Sequence, residues 1–167
     1  LHGKTRRQRQ MCIRDSSDTF INNQFLKGQH RGPEFSYINY VNDTKKNYIG
    51  FHRLAINGLD TISNQPIEID NLILICNGEI YNYQELFNRL GVKPITNSDC
   101  EVIIHCYKKY GIEYTLQMLD GVFAFVLIDN NTNKLFVGRD PYGVRPIYYY
   151  KNTNNVWVLS LIHISEP

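Results

Sequence analysis

The run Gly121–Asp129, "GVFAFVLID", is apolar on both faces of any strand it could form. Four residues later comes a second β-rich run, "KLFVGRD", at Lys134–Asp140. The residues between them, Asn130, Asn131, Thr132 and Asn133, tolerate tight and left-handed turns, so the two runs read as an antiparallel hairpin. A strand that is apolar on both sides needs cover on both sides. Helical patterns lie upstream of it in the chain. Adjacent antiparallel strands with helices on their outer sides imply an α+β layered sandwich, not a doubly wound parallel sheet. The strand order does not follow from the pattern.

The rest of the central region alternates strands and helices. "NYIGFHRLAI" (47–56) and "NLILICN" (71–77) are short apolar runs bounded by Gly, Asp and Asn, as strands should be. "YNYQELFNRLG" (81–91) sets Tyr83, Leu86, Phe87 and Leu90 at helical spacing and stops at Gly91, a natural residue just past a helix end. In "SDCEVIIHCYKKYG" (98–111), Ser98 and Glu101 have the spacing of a capping box. Val102, Ile103 and Cys106 form an apolar stripe, and Lys108, Lys109 and Gly111 close the helix. A short helix is expected over "EYTLQML" (113–119).

Composition narrows the function classes. With 167 residues, 43% of them hydrophobic and 20% charged, the chain can bury one sizeable core and reads as one globular domain. No apolar run approaches membrane-spanning length, and no charged-then-apolar leader precedes the domain. Cysteines 12, 76, 100 and 106 match neither a disulfide-dense scaffold nor a C-x-x-C metal pair, so free thiols and a cytoplasmic setting are expected. His105 between Cys100 and Cys106 does not have zinc spacing, and no metal site is expected. The net charge of +2 is too small to call for a nucleic-acid or membrane partner.

The two ends read differently from the middle. Lys4, Arg6, Arg7, Arg9 and Arg14 face only Asp15 at the front. The string "RRQRQMCIRDS" (6–16) resembles the conceptual translation of a transposon-based sequencing adapter, and "LSLIHISEP" (159–167) resembles the complementary adapter. Residues 1–16 and 159–167 are therefore expected to be adapter-derived tails, flanking a domain over 17–158 that is incomplete at both ends. Removing five basic and two acidic residues with the tails turns +2 into about −1, which leaves no call for a polyanion partner.

Candidate chemistry sits in four places. "HRGP" (30–33) and "GFHRLAI" (50–56) each contain a His-Arg pair. "CNGEIYN" (76–82) puts Asn77, Gly78 and Glu79 in the turn between a strand and a helix, and "SDCE" (98–101) puts Asp99 in a first helical turn. Arginine grips a carboxylate through two parallel hydrogen bonds, and carboxylates grip an ammonium. An Asn amide beside a glycine N–H can form an oxyanion hole. Together such groups would hold a free amino acid and polarise its side-chain carbonyl. Each also has a structural reading: Asp99 as a helix-start charge, Asn77-Gly78 as an ordinary turn, Arg53 as one half of an ion pair.

These segments, in this order, resemble the glutaminase domain of the class II (N-terminal-nucleophile) glutamine amidotransferases. With "NGEIYN", "SDCEVI", "LDGVFAFVLID" and "RDPYGVRPIYY", they look most like the asparagine synthetase branch, over nearly all of residues 25–158. The resemblance implies an α+β, four-layer αββα sandwich, truncated here at both ends. It implies that Arg53 binds the α-carboxylate of glutamine, while Glu79 and Asp99 hold its α-ammonium. Asn77 and the N–H of Gly78 would form the oxyanion hole, and backbone groups near Ile56 and Asn57 would line the pocket. Asn57 is polar where relatives are usually aliphatic. "RDPYGVRP" (139–146) reads as structural, a Pro-Tyr-Gly turn locked by Arg139 and Asp140. The parent would pass ammonia to a C-terminal synthetase domain that uses ATP and Mg to convert aspartate to asparagine, and a homodimer is compatible with it.

The family mechanism uses a cysteine at position one, whose free amino group is the general base. Cys12 follows a methionine, but Ile13-Arg14-Asp15-Ser16 come next where the family has Gly or Ser and then a strand. Only 17 residues separate Cys12 from His30, fewer than a first strand and first helix need. Cys12 is therefore read as a decoy and the fragment as inactive, its nucleophile lost with the 5′ end of the gene. Two alternatives stay open: another class II enzyme such as amidophosphoribosyltransferase, or a binding module without a nucleophile.

Overall fold

The computed structural model describes residues 18–41, 47–54, 60–151, 153 and 157–161. The chain divides into two compact units, one over residues 1–54 and 151–158, the other over 55–150 and 159–167. The described residues form three helices and eight strands, and every registered strand pair is antiparallel. This is the α+β class expected from the sequence. No helix among them is long and apolar enough to cross a membrane.

The first unit holds helix α1 (Asp18–Leu26) and the hairpin of β1 (Phe35–Tyr40) with β2 (Tyr48–Arg53). His52 joins the two. Its ring stacks on Phe25 at 3.8 Å between centroids, and its Nε2 lies 2.8 Å from the Phe25 carbonyl. A carbonyl only accepts, so Nε2 carries the hydrogen, and in the neutral ring Nδ1 accepts from Ser36 Oγ at 2.9 Å. "HRGP" runs alongside. A side chain at Gly32 would place its Cβ 2.5 Å from the His52 carbonyl carbon, so only glycine fits this approach.

The second unit is a four-stranded sheet in the order β3-β4-β5-β6, made of Ile67–Ile69, Leu72–Ile80, Gly121–Asp129 and Lys134–Arg139. Helices α2 (Tyr83–Leu90) and α3 (Val102–Met118) share one apolar core with it. Leu74, Cys76 and Ile80 from β4 and Phe123, Phe125 and Leu127 from β5 meet Leu86, Phe87, Ile103 and Cys106. Burying a side chain of this size stabilises the fold by about 1.5–3 kcal/mol. Ile73, Ile75 and Ala124, which alternate with those positions, are also buried, as a strand apolar on both faces requires. Strands β7 (Tyr148–Lys151) and β8 (Trp157–Ser160) pair with each other. β8 and the buried Leu161 run into the segment that reads as a tail.

Local signals act where expected at three points. Gly91 is left-handed at φ 68°, and the N–H groups of Gly91 and Val92 bond to the carbonyls of Asn88 and Phe87, closing α2. The 130–133 turn joins β5 to β6 with Asp129 opposite Lys134, and Asn133 is left-handed at φ 54°. Gly111, at φ 78° and ψ 173°, interrupts α3 where the first helix was expected to end.

Two expectations are corrected. Asn77, Gly78 and Glu79 do not lie in a turn: β4 continues through them, opposite Ala124, Phe123 and Val122. The strand can continue because Gly78 takes φ 146°, with its Cα facing the Val122 carbonyl, where a Cβ would come within 2.0 Å of that oxygen. Nor is "SDCE" a capping box. Its first turn, Asp99–Glu101, is a 3-10 turn. Ser98 Oγ accepts from the Cys100 N–H, but Glu101 turns to the loop before it instead of returning to the Ser98 N–H.

Candidate active site

The end of β4 brings Asn77, Gly78 and Glu79 into line, and Asp99 meets that end. The Asp99 carboxylate is buried, and its Oδ2 accepts the backbone N–H of Ile80 at 2.6 Å. A carboxylate thus stands against the strand that carries the amide, the glycine N–H and the second acid. Cys100, next to Asp99, directs its Sγ at the Gly78 carbonyl at 3.9 Å.

Asn77 is held on both sides. Ahead of it, the Gln65 side chain pairs with Cys76 as a strand backbone would. Gln65 Oε1 accepts the Cys76 N–H at 2.6 Å, and Gln65 Nε2 donates to the Cys76 carbonyl at 2.9 Å. Its own Nδ2 donates to the Leu161 carbonyl at 2.8 Å. An amide NH₂ carries two hydrogens, so one remains for a second acceptor. After the strand, Tyr81 N–H donates to the Asp120 carbonyl, and Asn82 bonds to the Met118 carbonyl and the Asp120 N–H. These bonds fix the chain on the far side of Glu79.

The loop before Asp99 is bound by Glu101, whose spacing marked it only as a cap, and by Asp60 and Ser63, which no motif singled out. The fully buried Glu101 carboxylate accepts from the Ile95 N–H at 2.8 Å, the Thr96 N–H at 2.5 Å and Thr96 Oγ1 at 2.6 Å. His105 Nε2 donates to it at 2.9 Å. Burial raises the Glu101 pKa, but the hydrogen bonds from His105, Thr96 and Ile95 outweigh it and hold the carboxyl below its ordinary range. On the other side of the loop, Ser63 Oγ accepts the Asn97 N–H at 3.0 Å, and Asp60 accepts the Asn97 amide. The D-x-x-S spacing of Asp60 and Ser63 signals a local cap, but no local pattern reveals a partner 34 residues away.

Arg53 belongs to the first unit. It is buried at 7% exposure in the last position of β2, opposite Phe35. Ile56, Asn57 and Cys12 lie outside the described residues. "RDPYGVRP" forms the turn expected of it. The buried Asp140 accepts the N–H groups of Tyr142, Val144 and Arg145, and the left-handed Gly143 sits under the Arg139 guanidinium. Among the described residues, no group of three or more His, Cys, Asp or Glu side chains could hold a metal ion. Cys76, Cys100 and Cys106 are buried free thiols. Burial pushes Cys106 up to about 11, and Cys76 and burial together raise Cys100.

The family profile described as "Glutamine amidotransferase domain" matches residues 10–164. The chain belongs to the glutamine amidotransferase family. Glutamine-hydrolysing asparagine synthetase of Mesocricetus auratus is 46% identical over 127 residues, and those of Gallus gallus and Homo sapiens are 45% identical over the same length. In each case the alignment takes in 74% of this chain and 22% of the relative, so the chain spans about a fifth of the length of these proteins. It is an amidotransferase domain homologous to their glutaminase part.

Proposed function

We propose that this domain binds glutamine and comes from a glutamine-dependent asparagine synthetase. In that enzyme, ammonia released from the side-chain amide would go to an ATP- and Mg-dependent synthetase portion lying outside this chain. The observation that carries the reading is the juxtaposition of Asp99 with the end of β4 that bears Asn77, Gly78 and Glu79. Asp99 and Glu79 take the α-ammonium; the family resemblance alone gives Arg53, in the first unit, the α-carboxylate. The second hydrogen of the Asn77 amide, with the Gly78 N–H, takes the developing oxyanion. Preorganised donors of this kind contribute about 3 kcal/mol each in acyl transfer.

The nucleophile would be an N-terminal cysteine thiolate that attacks the carboxamide carbon. Its own amino group would take the thiol proton and return it to the leaving ammonia. Water would then hydrolyse the γ-glutamyl thioester. Cys12 is not that cysteine in this reading, residues 1–16 and 159–167 are foreign, and the chain as it stands does not turn over glutamine.

One observation favours a second reading: the family match begins at residue 10 and so takes in Cys12. Initiation at Met11 followed by methionine removal would then expose the nucleophile. Sequencing the source DNA outward past Ser17 and Val158 decides between them. The proposal expects a Met-Cys-Gly start upstream and a Ser-Gly-Gly-x-Asp-Ser loop downstream. Genomic DNA that encodes "RRQRQMCIRDS" in place overturns it, and a phosphoribosyl-binding domain downstream moves the ammonia acceptor.

A further inference from the structure

Asp99 can discriminate a ligand only if its carboxylate is fixed before the ligand arrives, because ordering it on binding would consume part of the affinity. Its backbone is held from two directions. Glu101, two residues on, takes three hydrogen bonds from Ile95 and Thr96, and Thr96 Oγ1 in turn accepts the Ser98 N–H at 3.1 Å. Asp60 and Ser63 hold Asn97, with Ser63 Oγ itself donating to Asp60 Oδ1 at 2.5 Å. Every residue from Ile95 to Ser98 is thus bonded to a side chain of this network. The segment ends at Asp99, whose Oδ2 meets the Ile80 N–H.

A helix cap would not need this arrangement. The Ser98 side chain alone satisfies the Cys100 N–H. Burying a carboxylate completely, away from the helix axis, is costly unless every bond is made. Glu101 takes one bond from His105 and three from the loop, so its consequence is felt at Asp99.

We infer that Glu101 is a positioning residue for ammonium recognition. Through Thr96, and with Asp60 and Ser63 acting through Asn97, it sets the Asp99 carboxylate against the end of β4. This rests on the reading of Asp99 as the ammonium-binding acid. Glu101 itself touches no ligand. Glu101→Gln replaces one acceptor oxygen by an NH₂ donor facing the N–H and hydroxyl of Thr96. Thr96→Val removes the hydroxyl that bonds both Glu101 and the Ser98 N–H.

The test compares two ligands on the 167-residue chain by calorimetric titration. They are L-glutamine and 4-carbamoylbutanoate, which keeps the amide and carboxylate but lacks the α-ammonium. The unsubstituted chain is expected to prefer glutamine by roughly tenfold or more, the scale of one charge-assisted hydrogen bond. Glu101→Gln is expected to lose most of that preference while its affinity for 4-carbamoylbutanoate stays within about twofold. Thr96→Val should move the same way by less, and it decides the matter if Glu101→Gln does not fold. An unchanged preference in these variants overturns the inference, as does equal weakening of both ligands, which is what a purely structural role produces. If the unsubstituted chain binds glutamine no better than 4-carbamoylbutanoate, the assignment of Asp99 fails first, and the positioning role fails with it.

Discussion

The backbone N–H of Ile80 donates to Asp99 Oδ2 at 2.6 Å, joining the end of β4 to the 3-10 turn that opens α3. The two residues lie 19 apart in sequence, with all of α2 between them. One bond therefore fixes the acid that is proposed to read the substrate's ammonium relative to the strand proposed to read its amide. Asp99→Asn keeps an acceptor for Ile80 and removes the charge. It should leave the melting temperature within a few degrees while weakening glutamine binding roughly tenfold or more.

Gly78 has no room for a side chain. A Cβ there would lie 2.0 Å from the Val122 carbonyl oxygen at a φ of 146°. The conformation alone costs an L residue about 1–3 kcal/mol, before the clash is counted. Gly78→Ala should lower the urea midpoint sharply and abolish glutamine binding in whatever fraction still folds. A variant of near-normal stability would mean that β4 does not run through Gly78 as described.

Acid should loosen the Asp99 loop through Glu101. Its folded carboxyl titrates below the ordinary value of 4.5, so the stability it supplies is complete above that value. That stability is lost as pH falls through the lower, folded value. Denaturant melts between pH 7 and pH 3 should show stability declining below about pH 4.5, with a shallower decline in Glu101→Gln.

The thiols of Cys76, Cys100 and Cys106 are buried, and those of Cys100 and Cys106 are held protonated at neutral pH. Peptide mapping after brief iodoacetamide treatment at pH 7.5 should find none of the three alkylated in the folded chain and all three alkylated in urea.

How much of this was legible in the sequence depends on how local each signal is. Gly91 and the 130–133 turn were readable because a left-handed residue and a tight turn leave their mark on the residue that adopts them. The hairpin and its double-sided burial followed from an unbroken apolar run. Asn77-Gly78-Glu79 looked like a turn because Asn-Gly is a turn signal. What makes it a strand is Val122, a partner 44 residues away that a glycine alone can approach. Glu101 has the spacing of a cap, and only the packing shows its carboxylate buried beneath Ile95 and Thr96. Asp60 and Ser63 announce a local cap and conceal that they also hold Asn97. The strand order β3-β4-β5-β6 is set by pairings between distant segments, which no window of the sequence contains.

Calorimetric titration of the 167-residue chain with L-glutamine tests most directly the proposal that Asn77, Gly78, Glu79 and Asp99 bind glutamine. Saturable binding at one site is expected, weakened at least tenfold by Glu79→Ala and by Asp99→Ala, with no ammonia released over hours. A folded chain that fails to bind glutamine, or that binds it equally well in both variants, would contradict it.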